Sequence, residues 1–292
     1  MVSGIAIAAP AVAGVPLAPA TVRTSTNQVN LVSTQGARPA ALAECFGPGD
    51  TLSTAALANA EVLFNDGSLA RLGEQANLRF WPQTRKLHLS QGTAVLFVPP
   101  GQGRTTIQTP NATVGLNSSG VVVRHVPSRN LTLVMALANS TTGPVSITTG
   151  APGQEFALYA GQMTLINGVT SQIVEFDLLE FYQTSNLIAN LDLANPDYQP
   201  AADEPLAALR PDLLAALAQQ LPFSTNDGIL DPNLINDVMT EVDLQSAEPN
   251  LGVLPTPIEE LRRDNDAPPG VVTPLPTNPS TPTEPVESLS GG

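Results

Sequence analysis

Side chains that could carry covalent or metal chemistry are scarce in this sequence: one cysteine and two histidines in 292 residues. Cys45 lies in Glu44-Cys45-Phe46-Gly47, with no basic or histidine neighbour to lower its pKa, and reads as a buried, inert thiol rather than a nucleophile. His88 and His125 each fall inside a strand-like run, without the serine elbow or carboxylate spacing of a catalytic triad, and read as polar-face strand residues. A Cys-cluster or His-rich metal site is excluded by these counts. Asp227, Asp231, Asn233 and Asp237 are rich in oxygen, but they lack the alternating register, the turn glycine and the terminal glutamate of a calcium loop, and Asp231 is explained as a helix cap. Asn65-Asp66-Gly67 is explained as a tight turn. The sequence therefore offers no enzyme, no cofactor and no metal.

Binding chemistry is better represented. Residues 1–150 carry nine basic and five acidic side chains, whereas residues 151–292 carry three and 21, so a net charge of −14 hides a basic first half. The acidic total argues against nucleic acid as partner. Arg71, Arg79, Arg85, Lys86, Arg104, Arg124 and Arg129 alternate with apolar residues and are expected to point largely to solvent. Of these, Arg71, Arg79, Arg104, Arg124 and Arg129 form the candidate basic face for an envelope protein or an anionic cell-wall polymer. Trp81, between Phe80 and Pro82, reads as a strand-end aromatic, with a stacking platform for a sugar as the alternative.

Short runs rich in Val, Ile, Leu, Phe and Thr, divided by Gly, Pro, Asn and Asp, must position these groups. They begin at Ala43 and continue to about Asn167. With no helical pattern between them, the expected fold is mainly β: an antiparallel sandwich or roll of about ten short strands over residues 43–168. After Gly168 the period changes. Val174, Leu178, Phe181 and Tyr182 fall at i, i+4, i+7 and i+8, predicting an amphipathic helix over about Ser171–Asn190, with a break near Thr184-Ser185, that docks on the β domain. Shorter helices are expected at about Pro205–Leu221, interrupted or restarted by Pro211, and at Pro232–Leu244, which completes a helical region over 169–245. The Pro-, Thr- and Glu-rich residues 246–292 read as a disordered tail.

The N-terminus reads as an export segment. Residues 1–20 are small, apolar and uncharged, with Ala11-Val12-Ala13 and Ala18-Pro19-Ala20 as alternative cleavage signals, giving a mature chain from Gly14 or Thr21. Residues 21–42 read as a linker. No run of eighteen apolar residues occurs in the sequence, so no transmembrane span is expected.

Ordered pieces of the β region resemble the FecR domain family: Ala60–Phe80 (AEVLFNDGSLARLGEQANLRF), Leu87–Val98 (LHLSQGTAVLFV), Thr106–Val123 (TIQTPNATVGLNSSGVVV), Gly143–Ile147 (GPVSI) and Ala160-Gly161-Gln162. The resemblance implies an extracytoplasmic, β-rich module, periplasmic or secreted, in a family whose best-known members relay receptor occupancy to a sigma factor. Without the transmembrane sigma-regulator architecture, the sequence resembles an exported FecR-like binding or sensing module of the cell envelope, with signal transduction as one role. A structural spacer at the envelope or surface is the alternative.

Overall fold

A computed structural model describes residues 14–221, apart from 82, 151–152, 168–169 and 202. The helix expected at 232–244, the tail and the Asp227–Asp237 cluster lie outside the described residues. Among the described residues there are seventeen strands. The first eight are β1 (Ala20–Thr26), β2 (Val29–Ser33), β3 (Gly36–Pro39), β4 (Cys45–Phe46), β5 (Thr51–Thr54), β6 (Asn59–Phe64), β7 (Leu69–Leu72) and β8 (Asn77–Phe80). The long β9 (Lys86–Val98) is followed by β10 (Thr105–Gln108), β11 (Ala112–Leu116), β12 (Ser119–Val126) and β13 (Leu131–Ala136). The last four are β14 (Val145–Thr149), β15 (Glu155–Leu158), β16 (Gln162–Asn167) and β17 (Thr170–Glu175).

The pairings divide these strands into two sheets. One runs β4-β1-β6-β7-β9-β12-β13-β16-β17 and is antiparallel throughout. The other runs β3-β2-β5-β8-β9-β10-β11-β14-β15, with β9–β10 its parallel pair. Hairpins alternate between them along the chain: β6–β7 lie in the first, β10–β11 in the second, β12–β13 in the first and β14–β15 in the second. Strand β9 belongs to both, pairing with β8 and β10 through Lys86–Gln91 and with β7 and β12 through Gly92–Val98. The crossing falls at a register shift and at Gly92, whose φ of +79° is open to glycine at little cost. A Cβ there would lie 2.4 Å from the Ala76 Cα, so backbone also occupies the space.

Alternation follows from the pleat: successive side chains take opposite faces. The inward faces of both sheets form one core, in which Val22, Leu52, Leu72, Leu89, Leu96, Val114, Val123 and Ile147 are buried. The first sheet has a second apolar face, carried by Leu69, Val95, Phe97, Val122, Met135 and Met163, which the C-terminal segment covers. Helix α1 (Leu178–Thr184) and helix α2 (Arg210–Gln219) lie there with a short 3-10 turn at Ala189–Leu191. The layers are therefore the open sheet, the main core, the capped sheet, a second core and the helical cap.

The amphipathic helix expected over about Ser171–Asn190 forms only at Leu178–Thr184, where it stops at the expected break near Thr184-Ser185. Residues 170–175 add β17 to the capped sheet, Asp177 caps α1 by accepting from the Glu180 N–H at 3.0 Å, and the α-helix ends at Thr184. Val174 and Phe181 belong to the same apolar layer because strand and helix both face it, and this shared layer imitates a helical period. The docking itself is present: Phe176, Phe181 and Tyr182 are buried, while Leu179 is exposed. In the segment around Pro205–Leu221, helix begins at Arg210 with Pro211 in its first turn, the position where its missing N–H costs least.

Candidate functional site

The five arginines of the expected basic face occupy different surfaces. Arg79 lies on the open sheet, in β8. Strand register places it in one row, Val32–Thr51–Arg79–His88–Gln108–Thr113–Thr148–Glu155, which crosses eight strands. A second row, Lys86–Thr106–Gly115–Ser146–Ala157, runs beside it on the same face. Except at Gly115, every position in both rows is exposed or half-buried, because no element packs on this face among the described residues. Small polar side chains suit such a wet face: Thr is a good strand former and supplies a hydroxyl without a second core.

Arg104 also reaches the open face. Gly115 leaves room for it: a Cβ at that position would stand 2.5 Å from the Arg104 Nη2, which donates to the Ser146 hydroxyl. At the other side of the face, the Arg79 guanidinium stacks 4.9 Å from the centre of the Trp81 ring, at 37% exposure a strand-end aromatic. Arg79, Lys86 and Arg104 are exposed, and Glu155 is the one acidic member of the two rows. The resulting surface is polar and locally basic, and it presents hydrogen-bonding groups at the strand spacing of about 4.8 Å.

Arg71 and Arg124 are instead on the capped sheet. Arg71 pairs with Glu61 at 2.5 Å and donates to the Leu187 carbonyl at 2.8 Å and to Asn190, tying the cap to the sheet. Arg124 donates to the Thr93 hydroxyl at 3.0 Å, and burial pushes its guanidinium below the ordinary range, with Glu74 offsetting part of that effect. Arg129 ends the Pro127–Arg129 turn between β12 and β13. Arg85, also expected to face solvent, is buried. Its guanidinium meets the fully buried Asp66 carboxylate at 2.7 Å, and its other donors reach the Thr105 hydroxyl and, at 2.7 Å, the Val15 carbonyl. Period-two alternation gives in or out, but a sheet with a core on both faces makes "out" mean buried for some of its residues.

The family model described as FecR protein matches residues 50–137. Residues 50–137 are a FecR domain. They run from β5 to β13 and supply the central strands of both sheets, with β1–β4 added at one side and β14–β17 at the other. The FecR domain thus holds Arg71, Arg79, Arg104, Arg124 and Arg129, whereas the cap lies beyond it. Among proteins of curated function, none matches the chain. Two crystal structures of a candidate anti-sigma factor from Parabacteroides distasonis ATCC 8503 are similar to it, at 16% and 15% identity and TM-scores of 0.37 and 0.39. The similarity covers 43% and 46% of this chain and 58% and 64% of theirs, so the chain spans less than two thirds of either.

Other candidate groups sort clearly. Cys45 is exposed, contrary to the buried thiol expected: in the two-residue β4, Phe46 takes the inward side and Cys45 the outward one, near the Thr21 hydroxyl at 3.4 Å. His88 stands on the open face of the FecR domain, as a polar-face residue should. His125 does not. It is buried, with Nδ1 2.9 Å from the Thr132 hydroxyl, in a network with Thr109 and Asn111 whose amide donates to the Asn130 and Ile166 carbonyls. Burial first, and His88 second, hold the His125 pKa below its ordinary value; a hydrogen bond with the Leu131 backbone acts in the opposite direction. Among the described residues, no group of three His, Cys, Asp or Glu could hold a metal ion. The turn reading of Asn65-Asp66-Gly67 agrees with the Gly67 φ of +83° and with Asp66 accepting from the Ser68 N–H and hydroxyl, but Asp66 also supplies the ion pair to Arg85.

Proposed function

We propose that this chain is an exported FecR-like binding module, acting in signalling, that engages an envelope protein or an anionic envelope polymer through the open face of its sandwich. The observation that carries the reading is the asymmetry of the two sheets. One outer face is consumed by the chain's own cap, while the other carries two polar rows with Arg79, Lys86 and Arg104 exposed. The FecR match supports a signalling-related regulator role. Among the described residues no helix is long and apolar enough to cross a membrane.

Contacts of this kind are screened by salt, with a Debye length of about 8–10 Å at physiological ionic strength. The full chain is expected to co-sediment with isolated bacterial envelope at low salt and to be released by salt of several hundred millimolar. Combined Arg79→Glu, Lys86→Glu and Arg104→Glu should abolish retention, while Arg129→Glu, in the turn between β12 and β13 of the other sheet, should leave it intact. Absence of retention at any salt, or equal retention of the triple variant, would remove the open face from the argument. The chain would then be better described as an envelope or surface spacer.

A further inference from the structure

We propose that the chain is processed between Ala13 and Gly14, and that Ala18-Pro19-Ala20 is not a cleavage site. This inference rests on the export reading above and narrows it to one bond. The sequence offers both sites, since each has small residues three and one positions before the cut. The fold separates them, because residues 14–20 are part of the sandwich.

Leu17 is fully buried in the core between the sheets, and its N–H donates to the Thr84 carbonyl at 3.0 Å. Asn65, at the β6–β7 turn, clasps the chain on either side of it: Nδ2 donates to the Pro16 carbonyl at 3.0 Å, and Oδ1 accepts from the Ala18 N–H at 2.8 Å. Arg85, anchored on Asp66, donates to the Val15 carbonyl. Ala20 is buried as the first residue of β1, opposite Phe46 and Phe64. A cut after Ala20 would remove Leu17 from the core and leave the buried Arg85 guanidinium without its Val15 carbonyl, each a recognised source of instability, and would also release the clasp made by the exposed Asn65.

Gly14 marks the other limit. A Cβ on it would lie 2.4 Å from the Gln102 carbonyl oxygen and 2.9 Å from the Arg85 Cδ, and one on Gly103 would lie 2.7 Å from the Gly14 Cα. The two glycines pack backbone to backbone, which no larger residue at 14 allows. The residue that follows Ala11-Val12-Ala13 is thus already fitted to the fold. In the reaction a membrane-bound peptidase adds water across the Ala13–Gly14 amide. The hydroxyl passes to the Ala13 carbonyl carbon, giving a carboxylate, and Gly14 leaves as an amine carrying the proton.

The test is intact mass and N-terminal sequencing of the chain isolated from its native cells. A first residue of Gly14 is expected. A first residue of Thr21 would overturn the inference and leave export standing, whereas retention of residues 1–13 would overturn the export reading itself. Chains begun directly at Gly14 and at Thr21 supply a second readout. The Gly14 chain should melt with the full chain, and the Thr21 chain should melt lower or fail to fold. Leu17→Ala in the full chain should lower the melting temperature by about 5–15 °C. Equal melting of all three would remove the structural ground for choosing between the sites.

Discussion

The cap is testable by removing the Phe181 side chain. Phe181 is fully buried in the second core, with its ring edge-on to Phe176 at 5.9 Å and 84°. Phe→Ala at such a site costs about 3–5 kcal/mol, and an independent estimate agrees: a ring burying about 200 Å² at roughly 25 cal/mol per Å² gives about 5 kcal/mol. Edge-to-face contact with Phe176 places the expected value in the upper half of that range. The assay is urea unfolding of the full chain, read as a shift in midpoint at constant slope. Leu179→Ala is the control: it lies on the same helix with 43% of its surface exposed, and the expected change is within about 0.5 kcal/mol. A loss below about 1 kcal/mol for Phe181→Ala, or equal losses for the two variants, would mean that the cap does not pack on the sheet in solution.

Three further outcomes follow from buried groups. Burial holds the Tyr182 hydroxyl, which donates to the Leu137 carbonyl at 2.7 Å, well above its ordinary pKa of 10.0, so the unfolded chain releases that proton first. Stability should therefore fall as pH rises above about 10, by roughly 1.4 kcal/mol per unit from this group, and Tyr182→Phe should flatten the slope in urea titrations at high pH. Asp66→Ala strands the buried Arg85 guanidinium and should cost about 3–5 kcal/mol by chemical unfolding; a loss under 1 kcal/mol would show that Arg85 finds water instead. Gly92→Ala combines a positive φ with backbone overlap at Ala76 and should cost at least about 2–4 kcal/mol, a value that differential scanning calorimetry can check.

Sequence pattern was most informative where a strand has one wet face. Residues 86–89 and 105–108, within the span of short strands expected over 43–168, alternate cleanly because the open sheet buries every second side chain. Composition reads residues 21–42 as a linker, yet Val22, Val29 and Leu31 are inward members of β1 and β2. Residues 170–184 were misread for a different reason. Val174 on a strand and Leu178 and Phe181 on a helix serve one apolar layer, and spacing along the chain does not record the change of element between them.

The same limit governs the candidate site. Alternation puts Arg71, Arg79 and Arg124 on faces opposite the main core, where solvent is expected for all three, but only Arg79 is exposed. What it cannot assign is which sheet a strand joins, and that choice determines the environment. Glu61 opposite Arg71 on the neighbouring strand, and a Thr93 hydroxyl opposite Arg124, satisfy arginines beside the cap. Thr51 and His88 flank Arg79 and leave its guanidinium on Trp81 in the open. Hairpin alternation between the sheets is therefore what divides seven cations, similar in sequence context, into structural ties and surface charge. Among the described residues nothing covers the open sheet, where Arg79 and Lys86 on strands and Arg104 just before β10 carry its positive charge.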